Sequence, residues 1–344
     1  MLNKILHAHS PIRRKLAFLS RHFNITVSPK LRNNFSQPTP DGIEQLRDLI
    51  MRKYLPSWYS GTDLDGHFDS EEWWRIDLEN HLFRRLEMDR YRFVPWIDRV
   101  APFKKNPTIL EVGCGTGSAA VAMAEQGADV VAIDAHLEAI EVSRPRAQIH
   151  GLSNVSFIYG NAQNLWELVG KRRFDLIVFF AVLEHMTLKE CKSSLRAAWE
   201  ILPKGKHICI TDTPNRLWFY DAHTSHLPFF NWLPDELAFE YSKRSSRYPF
   251  NMRFRELNND SMVLFIREGR GVSFHEIDLA LDDNCKYKII SDLTGFLSLR
   301  NPAMTLKRFL VGAGRREKLL NSYAPDRHRS FFRESLDLVI EKLD

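Results

Sequence analysis

The chain has 344 residues, of which 44% are hydrophobic and 26% are charged, and its formal net charge is +5. This balance is typical of a globular protein of about two domains, and it excludes global disorder and collagen-like repeats. The four cysteines are far apart and form no CxxC pair, so the sequence favours neither a disulfide framework nor a structural zinc site. No run of 18 apolar residues is present in the sequence, and we expect a cytoplasmic protein.

The first 40 residues form a basic arm with seven Lys or Arg and no Asp or Glu, and the rest of the chain has a net charge of −2. That remainder lacks the basic footprint expected of a nucleic-acid-binding protein. Apolar residues lie among the cations of the arm, which fits peripheral membrane contact, a transit peptide, a solvated tail or a helix on the core. A polar stretch at 28–42 with three prolines predicts a linker.

Residues 41–104 are expected to be helical, because their apolar and aromatic residues recur at spacings of three and four. Short β-rich runs then alternate with helical stretches, which predicts a parallel α/β sheet. The predicted strands are 108–112, 129–133, 155–159, 174–180 and 207–211. Pro145 is expected to stop or kink the second crossover helix. Thr187 and Glu190 have the spacing of a capping box that opens another helix, which ends near Leu202.

The pattern after residue 212 is less regular. An aromatic and histidine-rich segment covers 218–232, and a helix is expected over 261–268, where Gly269 and Gly271 end it. Residues 271–279 and 336–341 alternate well enough to predict two late strands. The residues between them, 280–330, are expected to be mostly helical.

The most informative stretch is 110–117, Leu-Glu-Val-Gly-Cys-Gly-Thr-Gly, a strand that runs into a glycine-rich turn and opens a helix. Glycines at 113, 115 and 117 let the backbone approach a ligand closely. Ser118 stands where the dinucleotide fingerprint G-x-G-x-x-G requires its third glycine, so NAD binding is disfavoured.

Three further elements accompany the turn: Glu111 before it, Asp134 at the end of the second strand, and Asn161 with Ala162 after the third. With them, residues 105–212 resemble the class I S-adenosylmethionine-dependent methyltransferases. The resemblance implies S-adenosylmethionine as cofactor and an α/β fold, in which a Rossmann-like seven-stranded, mostly parallel sheet is flanked by helices.

The resemblance also implies roles for these residues. The glycines make room for the amino-acid and sugar portion of the cofactor, Glu111 orients its ammonium group, and Asp134 accepts hydrogen bonds from both ribose hydroxyls. Asn161 and Ala162 lie beside the adenine. A nucleophilic thiol at Cys114 is the minor alternative. The expected cofactor-binding residues are Glu111, Gly113, Cys114, Gly115, Gly117, Asp134, Ala135, Asn161, Ala162, Phe180 and Ala181.

Two segments are candidates for the acceptor side. Leu183-Glu184-His185 after the fourth strand resembles the element that lies beside the transferring methyl in methyltransferases of small molecules. Asp221, His223 and His226, interleaved with aromatic residues, resemble the acceptor-side insertion of O-methyltransferases from sugar and antibiotic pathways. The chain has no N-P-P-Y or D-P-P-Y element and no Pro-Cys pair, which disfavours nucleic-acid methylation.

Methyl transfer from a sulfonium requires an oriented acceptor and a group that takes its proton, a task that suits histidine. The candidates are His185, then His223 and His226, with Asp221 beside them; the alternative for each is a structural or surface role. Together with Glu184 they could also hold a divalent ion. Ubiquinone-pathway O-methyltransferases use an E-x-x-E-H element, and Ala181 replaces its first acid here. A divalent metal is therefore possible but not favoured, and no metal ligand is assigned.

The sequence thus predicts methyl transfer to a hydroxyl of a small-molecule acceptor, such as a sugar or secondary metabolite. The alternatives are a lipid-linked glycan or protein acceptor, N- or carboxyl-methylation, and a non-catalytic protein that keeps the cofactor pocket. The oligomeric state is not indicated. The expected units are an arm and linker (1–40), a helical region (41–104), a cofactor-binding core (105–212), an acceptor cap (213–260) and a C-terminal completion of the sheet with a helical insertion (261–344).

Overall fold

The computed structural model describes residues 35–59, 76–247, 250–282, 284–301, 305, 306, 308, 310 and 312–344. Residues 1–34 of the basic arm, and with them the alternatives considered for it, including membrane contact, lie outside the described residues. Within the described part of the chain, no helix is both long and apolar enough to cross a membrane.

The region before the sheet is helical, as expected. Helix α1 (Pro40–Leu49) begins after Thr39, whose hydroxyl accepts a hydrogen bond from the Gly42 amide at 3.1 Å. The first helical run continues through a π-helical turn, Ile50–Tyr54, into α2 (Leu55–Tyr59). The second comprises Asn80–Arg84 (π-helical), α3 (Arg85–Met88), Asp89–Phe93 (π-helical) and α4 (Val94–Ile97). Such π-helical turns are frequent near functional sites.

Seven strands form one sheet in the order β3-β2-β1-β4-β5-β7-β6. The first five strands pair in parallel, and β7 pairs antiparallel with both β5 and β6. The strands are β1 (Thr108–Val112), β2 (Asp129–Asp134), β3 (Val155–Tyr159), β4 (Leu176–Phe180), β5 (His207–Pro214), β6 (Tyr287–Asp292) and β7 (Ser335–Lys342). The carboxyl ends of the five parallel strands therefore share one edge, where an open α/β sheet binds ligands.

Helices cover both faces of this sheet. Because its central strands are buried on both faces, β1, β2 and β4 read as nearly continuous apolar runs. The capping box of Thr187 and Glu190 is present at the start of the helix that the sequence predicted there. The crossover helices are α5 (Ser118–Glu125), α6 (Leu137–Ile149), α7 (Leu165–Val169) and α8 (Leu188–Ile201).

Pro145 does not stop α6, which continues to Ile149. The expectation of a stop at this proline is therefore wrong. Helix α6 packs on β2, β3 and α1, and this tertiary packing outweighs the loss of one backbone donor at the proline.

The C-terminal part contains two further corrections. The predicted strand at 271–279 is instead a helix, because Ser273 and Glu276 form a capping box and the apolar residues after them are buried on one face. The predicted helical stretch 280–330 contains β6, whereas the last predicted strand is confirmed as β7. The remaining helices are α9 (Asp235–Tyr241), α10 (Phe250–Arg253), α11 (Asn259–Arg267), α12 (Phe274–Leu281), α13 (Leu293–Arg300) and α14 (Ala313–Tyr323).

Candidate functional site

A glycine turn connects β1 to α5 at the carboxyl edge of the sheet. The amides of Gly113 and Cys114 donate to the carbonyl oxygen of Ile133 on β2, at 2.9 and 3.1 Å. The φ angle of Gly113 is +79°, a conformation that favours glycine. A Cβ atom at this position would lie 2.5 Å from Cγ2 of Val182. Both backbone conformation and space therefore require glycine here.

Glu111 lies on β1 just before the turn and is 2% exposed. Its Oε2 atom has no hydrogen-bond partner among the described residues. Burial raises the pKa of Glu111 well above its usual range, and the Asp89 and Asp134 carboxylates add to the rise. A buried carboxylate oxygen without a donor is costly, and a bound ammonium group would satisfy it.

Asp134 ends β2 at the rim of the same cleft. Its two carboxylate oxygens accept hydrogen bonds from the amides of Gly115 and His136, each at 2.8 Å. These bonds fix the carboxylate against the glycine turn, while each oxygen keeps a second lone pair for a ligand hydroxyl. Burial raises the pKa of Asp134. Ala135, the next residue, is exposed at the rim.

The remaining cofactor candidates lie at the ends of neighbouring strands. Asn161 follows β3, and its side-chain oxygen accepts from the Gln163 amide at 2.9 Å, which orders the turn that contains buried Ala162. Cys114 is 6% exposed, and burial raises the pKa of its thiol well above the usual range. The neutral thiol is therefore favoured, which argues against a nucleophilic role. Phe180 ends β4.

The N-terminal helices form a wall of the cleft that the sequence did not reveal. His81 Nδ1 lies 3.4 Å from the hydroxyl of Thr116 in the glycine turn. Arg146 of α6 donates to the hydroxyl of Ser118 at 2.8 Å and to the carbonyl of His81. Its guanidinium is fully buried. These contacts join residues from three distant segments, so no local sequence signal could have predicted them.

On the acceptor side, Glu184, His185 and His223 lie together and are called the acceptor cluster below. Glu184 is 1% exposed, and neither of its carboxylate oxygens has a hydrogen-bond partner in the described part of the chain. Its Oε1 atom lies 3.9 Å from Nε2 of His185 and 3.9 Å from Nε2 of His223. One side-chain ligand atom from each of the three residues lies within 4.8 Å of the others.

The end of α11 holds the acceptor cluster in place. The carbonyl of Arg267 lies 2.6 Å from Nδ1 of His185, and the amide of Arg270 donates to the carbonyl of Glu184 at 2.9 Å. Gly269 also lies close to the cluster, because a Cβ atom there would be 3.2 Å from Nδ1 of His223. The histidines are candidates from the sequence, whereas no sequence motif marks this turn.

Burial controls the protonation of the cluster. It raises the pKa of Glu184 to about 8, and the negative charge of Asp212 adds to the rise. Burial lowers the pKa of His185 well below its usual range, and the neighbouring His223 lowers it further. The pKa of His223 is also lowered by burial and then by Arg247. At neutral pH and without a bound cation, both imidazoles are therefore neutral.

Asp221 and His226 lie outside the acceptor cluster. The carboxylate of Asp221 accepts hydrogen bonds from the amides of His223, Thr224 and Ser225, at 3.1, 3.0 and 2.8 Å. It is 3% exposed and shapes the loop that carries His223. His226 has φ +56° in the same loop, and burial and then Arg247 lower its pKa. Its catalytic role stays a prediction.

Aromatic residues of the acceptor cap form a small core together with Phe265 of α11, and Phe230, Phe239 and Phe265 are fully buried in it. A cavity of about 780 Å³ opens beside this core, between Trp232, Phe274 and Tyr323. None of its lining residues belongs to the glycine turn or to the acceptor cluster. The cavity is therefore separate from both.

Comparison with known proteins finds similar sequences for the same region. The methyltransferase-domain family matches residues 103–242. The ubiquinone biosynthesis O-methyltransferase of Serratia proteamaculans is 29% identical over 140 residues, 40% of this chain and 55% of that protein. The mitochondrial ubiquinone biosynthesis O-methyltransferase of Schizosaccharomyces pombe is 31% identical over 124 residues, 35% of this chain and 44% of that protein. The chain thus spans about half the length of these curated relatives.

Solved structures resemble the chain at low sequence identity. The plantazolicin methyltransferase BpumL, solved in complex with SAH, is 19% identical with a TM-score of 0.42 and covers 88% of this chain and 98% of its own. The CcbJ methyltransferase from Streptomyces caelestis is 21% identical with a TM-score of 0.35, over 40% of this chain and 53% of its own.

Proposed function

Residues 103–242 form a methyltransferase domain of the class I S-adenosylmethionine-dependent family, and from this premise we propose that the protein methylates a hydroxyl of a small molecule. The acceptor class is a sugar or secondary metabolite. The observation that carries the proposal is the buried Glu111 beside the glycine turn, whose Oε2 atom has no hydrogen-bond donor among the residues that the structure describes. That atom fits the ammonium group of S-adenosylmethionine.

Different residues of the cleft bind different parts of this cofactor. Glu111 takes the ammonium group, the backbone of the glycine turn accommodates the amino-acid and sugar portion, and Asp134 accepts from the ribose hydroxyls. Asn161 and Ala162 flank the adenine, with Cys114, Ala135, Phe180 and Ala181 completing the contacts. The cofactor supplies an electrophilic methyl on a sulfonium.

The acceptor cluster orients the hydroxyl and receives its proton. The imidazoles of His185 and His223 are neutral at neutral pH, so each has a lone pair that can accept the hydrogen bond of the acceptor's hydroxyl. The N-terminal wall and the cap exclude water from the sulfonium. Asp221 contributes by shaping the loop that holds His223, and His226 is the weaker candidate for the base.

A hydroxyl acceptor is favoured because the two relatives described above are named O-methyltransferases. A nitrogen or carboxylate acceptor uses the same cleft and is the alternative for a small molecule. Methylation of a protein or a lipid-linked glycan is the other alternative, and for it the basic arm provides membrane contact.

The test is to incubate the purified protein with methyl-labelled S-adenosylmethionine and an extract of the source organism, separated into small-molecule, lipid-glycan, protein and RNA fractions. The control is Asp134→Ala. Label in the small-molecule fraction, absent with the control, supports the proposal and supplies the product for identification. Label in another fraction overturns the acceptor class, and no label in any fraction argues for a binding protein.

The role of the basic arm has its own test. A variant that lacks residues 1–40 is compared with the full chain for binding to anionic vesicles and for methyl transfer to the labelled acceptor. Loss of vesicle binding with retained transfer supports membrane contact. Unchanged vesicle binding discards it.

A further inference from the structure

We propose that the cavity between Trp232, Phe274 and Tyr323, called the aromatic cavity below, binds a neutral aromatic molecule that carries a carbonyl or amide oxygen. The cavity has a volume of about 780 Å³. This volume is within the range of small-molecule pockets, roughly 300–1,000 Å³. The inference is independent of methyl transfer, because none of the residues that line the cavity has a cofactor or acceptor role in the function proposed above.

Aromatic side chains from three separate segments line the aromatic cavity. Trp232 ends a 3-10 turn of the cap, Phe274 begins α12, and Tyr323 ends α14. Trp232 is 50% exposed and Tyr323 is 82% exposed, so two large rings of one cavity are accessible to a ligand. Exposed apolar side chains around a concave surface are typical of a ligand site, and such rings pack favourably against another aromatic ring.

Asn231 supplies a buried polar group at the wall of the aromatic cavity. It is 4% exposed, and its side-chain oxygen accepts a hydrogen bond from the Gly271 amide at 3.1 Å. Because a backbone amide donates, this contact distinguishes the side-chain oxygen from the NH2 group. The NH2 group has no hydrogen-bond acceptor in the part of the chain that the structure describes. A buried donor without an acceptor is costly, and the carbonyl oxygen of a ligand would remove that cost.

The charged side chains that line the aromatic cavity are already paired. Nε and Nη2 of Arg216 lie 3.2 and 3.1 Å from Oε1 of Glu276. Asp235 accepts a hydrogen bond from Nε of Arg270 at 3.1 Å. Because each charge has its counter-charge within the protein, the cavity favours a neutral ligand over an ion. The largely apolar lining also disfavours a saccharide, whose many hydroxyls each need a polar partner.

The test uses benzamide, which combines an aromatic ring with a neutral carbonyl, and the full chain labelled with ¹⁵N. The side-chain NH2 resonances of Asn231 are assigned by their loss in Asn231→Asp, and their shift during the titration reports binding at the aromatic cavity. We expect saturable shifts with a dissociation constant of about 1–10 mM, as suits a ligand of this size. Addition of S-adenosylhomocysteine should leave this constant unchanged, because the cavity is separate from the cofactor cleft.

Two related probes test the class of ligand. Cyclohexanecarboxamide has the same amide without an aromatic ring, and benzoate has the same ring with a charged carboxylate. Each should bind at least about 5-fold more weakly than benzamide, because the first loses ring packing and the second must bury an unpaired charge.

Two variants and a matched control test the residues. Asn231→Asp keeps an oxygen for the Gly271 amide and removes the NH2 group, so benzamide affinity, measured by saturation-transfer NMR, should fall at least about 5-fold. Tyr323→Ala removes an exposed ring and should weaken binding by about 3- to 10-fold. Tyr241→Ala is the control, because Tyr241 is another exposed tyrosine of the cap region, on α9, outside the cavity lining; its benzamide affinity should equal that of the wild type.

Far-ultraviolet circular dichroism checks that each variant folds. The proposal is overturned if benzamide leaves the Asn231 NH2 resonances unmoved, if benzoate binds as tightly as benzamide, or if folded Tyr323→Ala and Tyr241→Ala have the same affinity. Because no methyl donor or acceptor is present, failure here leaves methyl transfer untouched, and failure of methyl transfer leaves the aromatic cavity as a binding site.

Discussion

The Asp337 carboxylate on β7 accepts a hydrogen bond from the amide of Asp212 on β5, at 2.8 Å. The same oxygen accepts from the hydroxyl of Thr211, also at 2.8 Å. The register between β5 and β7 shifts between Ile210 and Thr213, which interrupts the backbone hydrogen bonds between the two strands. The Asp337 side chain supplies hydrogen bonds in their place. Asp212 is held there with φ +55°, a strained conformation for a residue with a Cβ.

Asp212→Gly should therefore stabilise the protein by roughly 1 kcal/mol, because glycine adopts positive φ without steric cost. Asp212→Asn keeps the Cβ and the strain, and it serves as the control. The measurement is chemical denaturation of both variants and the wild type at one pH. A glycine variant no more stable than the asparagine variant would show that the bulge carries no strain.

The Asp212 carboxyl should also make the stability of the protein depend on pH. The protein atoms around the Asp212 carboxyl raise its pKa to about 6, although the residue as a whole is exposed, and the charge of Asp337 adds to the rise. A carboxyl whose pKa is raised by folding stabilises the protein at low pH, and this contribution is lost as the pH rises through about 6. The melting temperature of Asp212→Asn minus that of the wild type should therefore be larger at pH 7.5 than at pH 4.5. Equal differences at both pH values would contradict this.

Glu111→Gln should have opposite effects on stability and on ligand binding. The free protein should become more stable, because a neutral amide replaces a buried carboxyl whose Oε2 atom has no donor in the described part of the chain. Binding of S-adenosylhomocysteine should weaken by about 10- to 100-fold through loss of a charge-assisted hydrogen bond. Thermal melts of the free protein and calorimetric titration measure the two effects.

Glu125→Gln is the contrasting control, since Glu125 is buried but paired. Its Oε2 atom accepts from Nε of Arg90 at 2.8 Å, and it also contacts Ser36. Removing this charge leaves the Arg90 guanidinium without its counter-charge, so the free protein should lose stability. If both glutamine variants change stability in the same direction, the assignment of Glu111 to the ligand is wrong.

Asp134→Ala should weaken binding of S-adenosylhomocysteine by about 1–3 kcal/mol, roughly 5- to 150-fold. The loss has two sources, namely the hydroxyl contacts proposed for Asp134 and its bonds to the amides of Gly115 and His136. Asp134→Asn keeps one side-chain oxygen for an amide, so its loss should be smaller. Calorimetry that finds unchanged affinity in the alanine variant would refute the placement.

The parts of the fold that the sequence predicted depend on local signals. Glycines in a turn and carboxylates at strand ends mark the cofactor side, and the capping box of Thr187 marks a helix start. Ser273 and Glu276 have the same capping-box spacing at the start of α12. The alternation of apolar and polar residues over 271–279 nevertheless favoured a strand there. The acceptor cluster needed the tertiary structure, because His223 and the turn at Arg267 approach Glu184 only after the cap has folded onto the sheet.

Gly113→Ala should destabilise the protein more than Gly151→Ala. Both glycines have positive φ, at +79° and +67°, so both variants incur about 1–2 kcal/mol of backbone strain. Only Gly113→Ala adds a steric clash. An added Cβ atom at position 113 would lie 2.5 Å from Cγ2 of Val182, whereas a Cβ atom at position 151 would have nothing within 4 Å. The extra cost should be about 1–3 kcal/mol, measured by chemical denaturation.

The double variant Gly113→Ala with Val182→Ala tests whether that clash is the cause. If it is, the double variant should be more stable than the sum of the two single losses predicts, by at least about 0.5 kcal/mol. Simple additivity would mean that the backbone alone explains the loss. A clash confirmed here would also show that the glycine turn and the acceptor cluster are coupled. Val182 precedes Glu184 in the loop after β4, so displacing it would disturb the acceptor cluster together with the glycine turn.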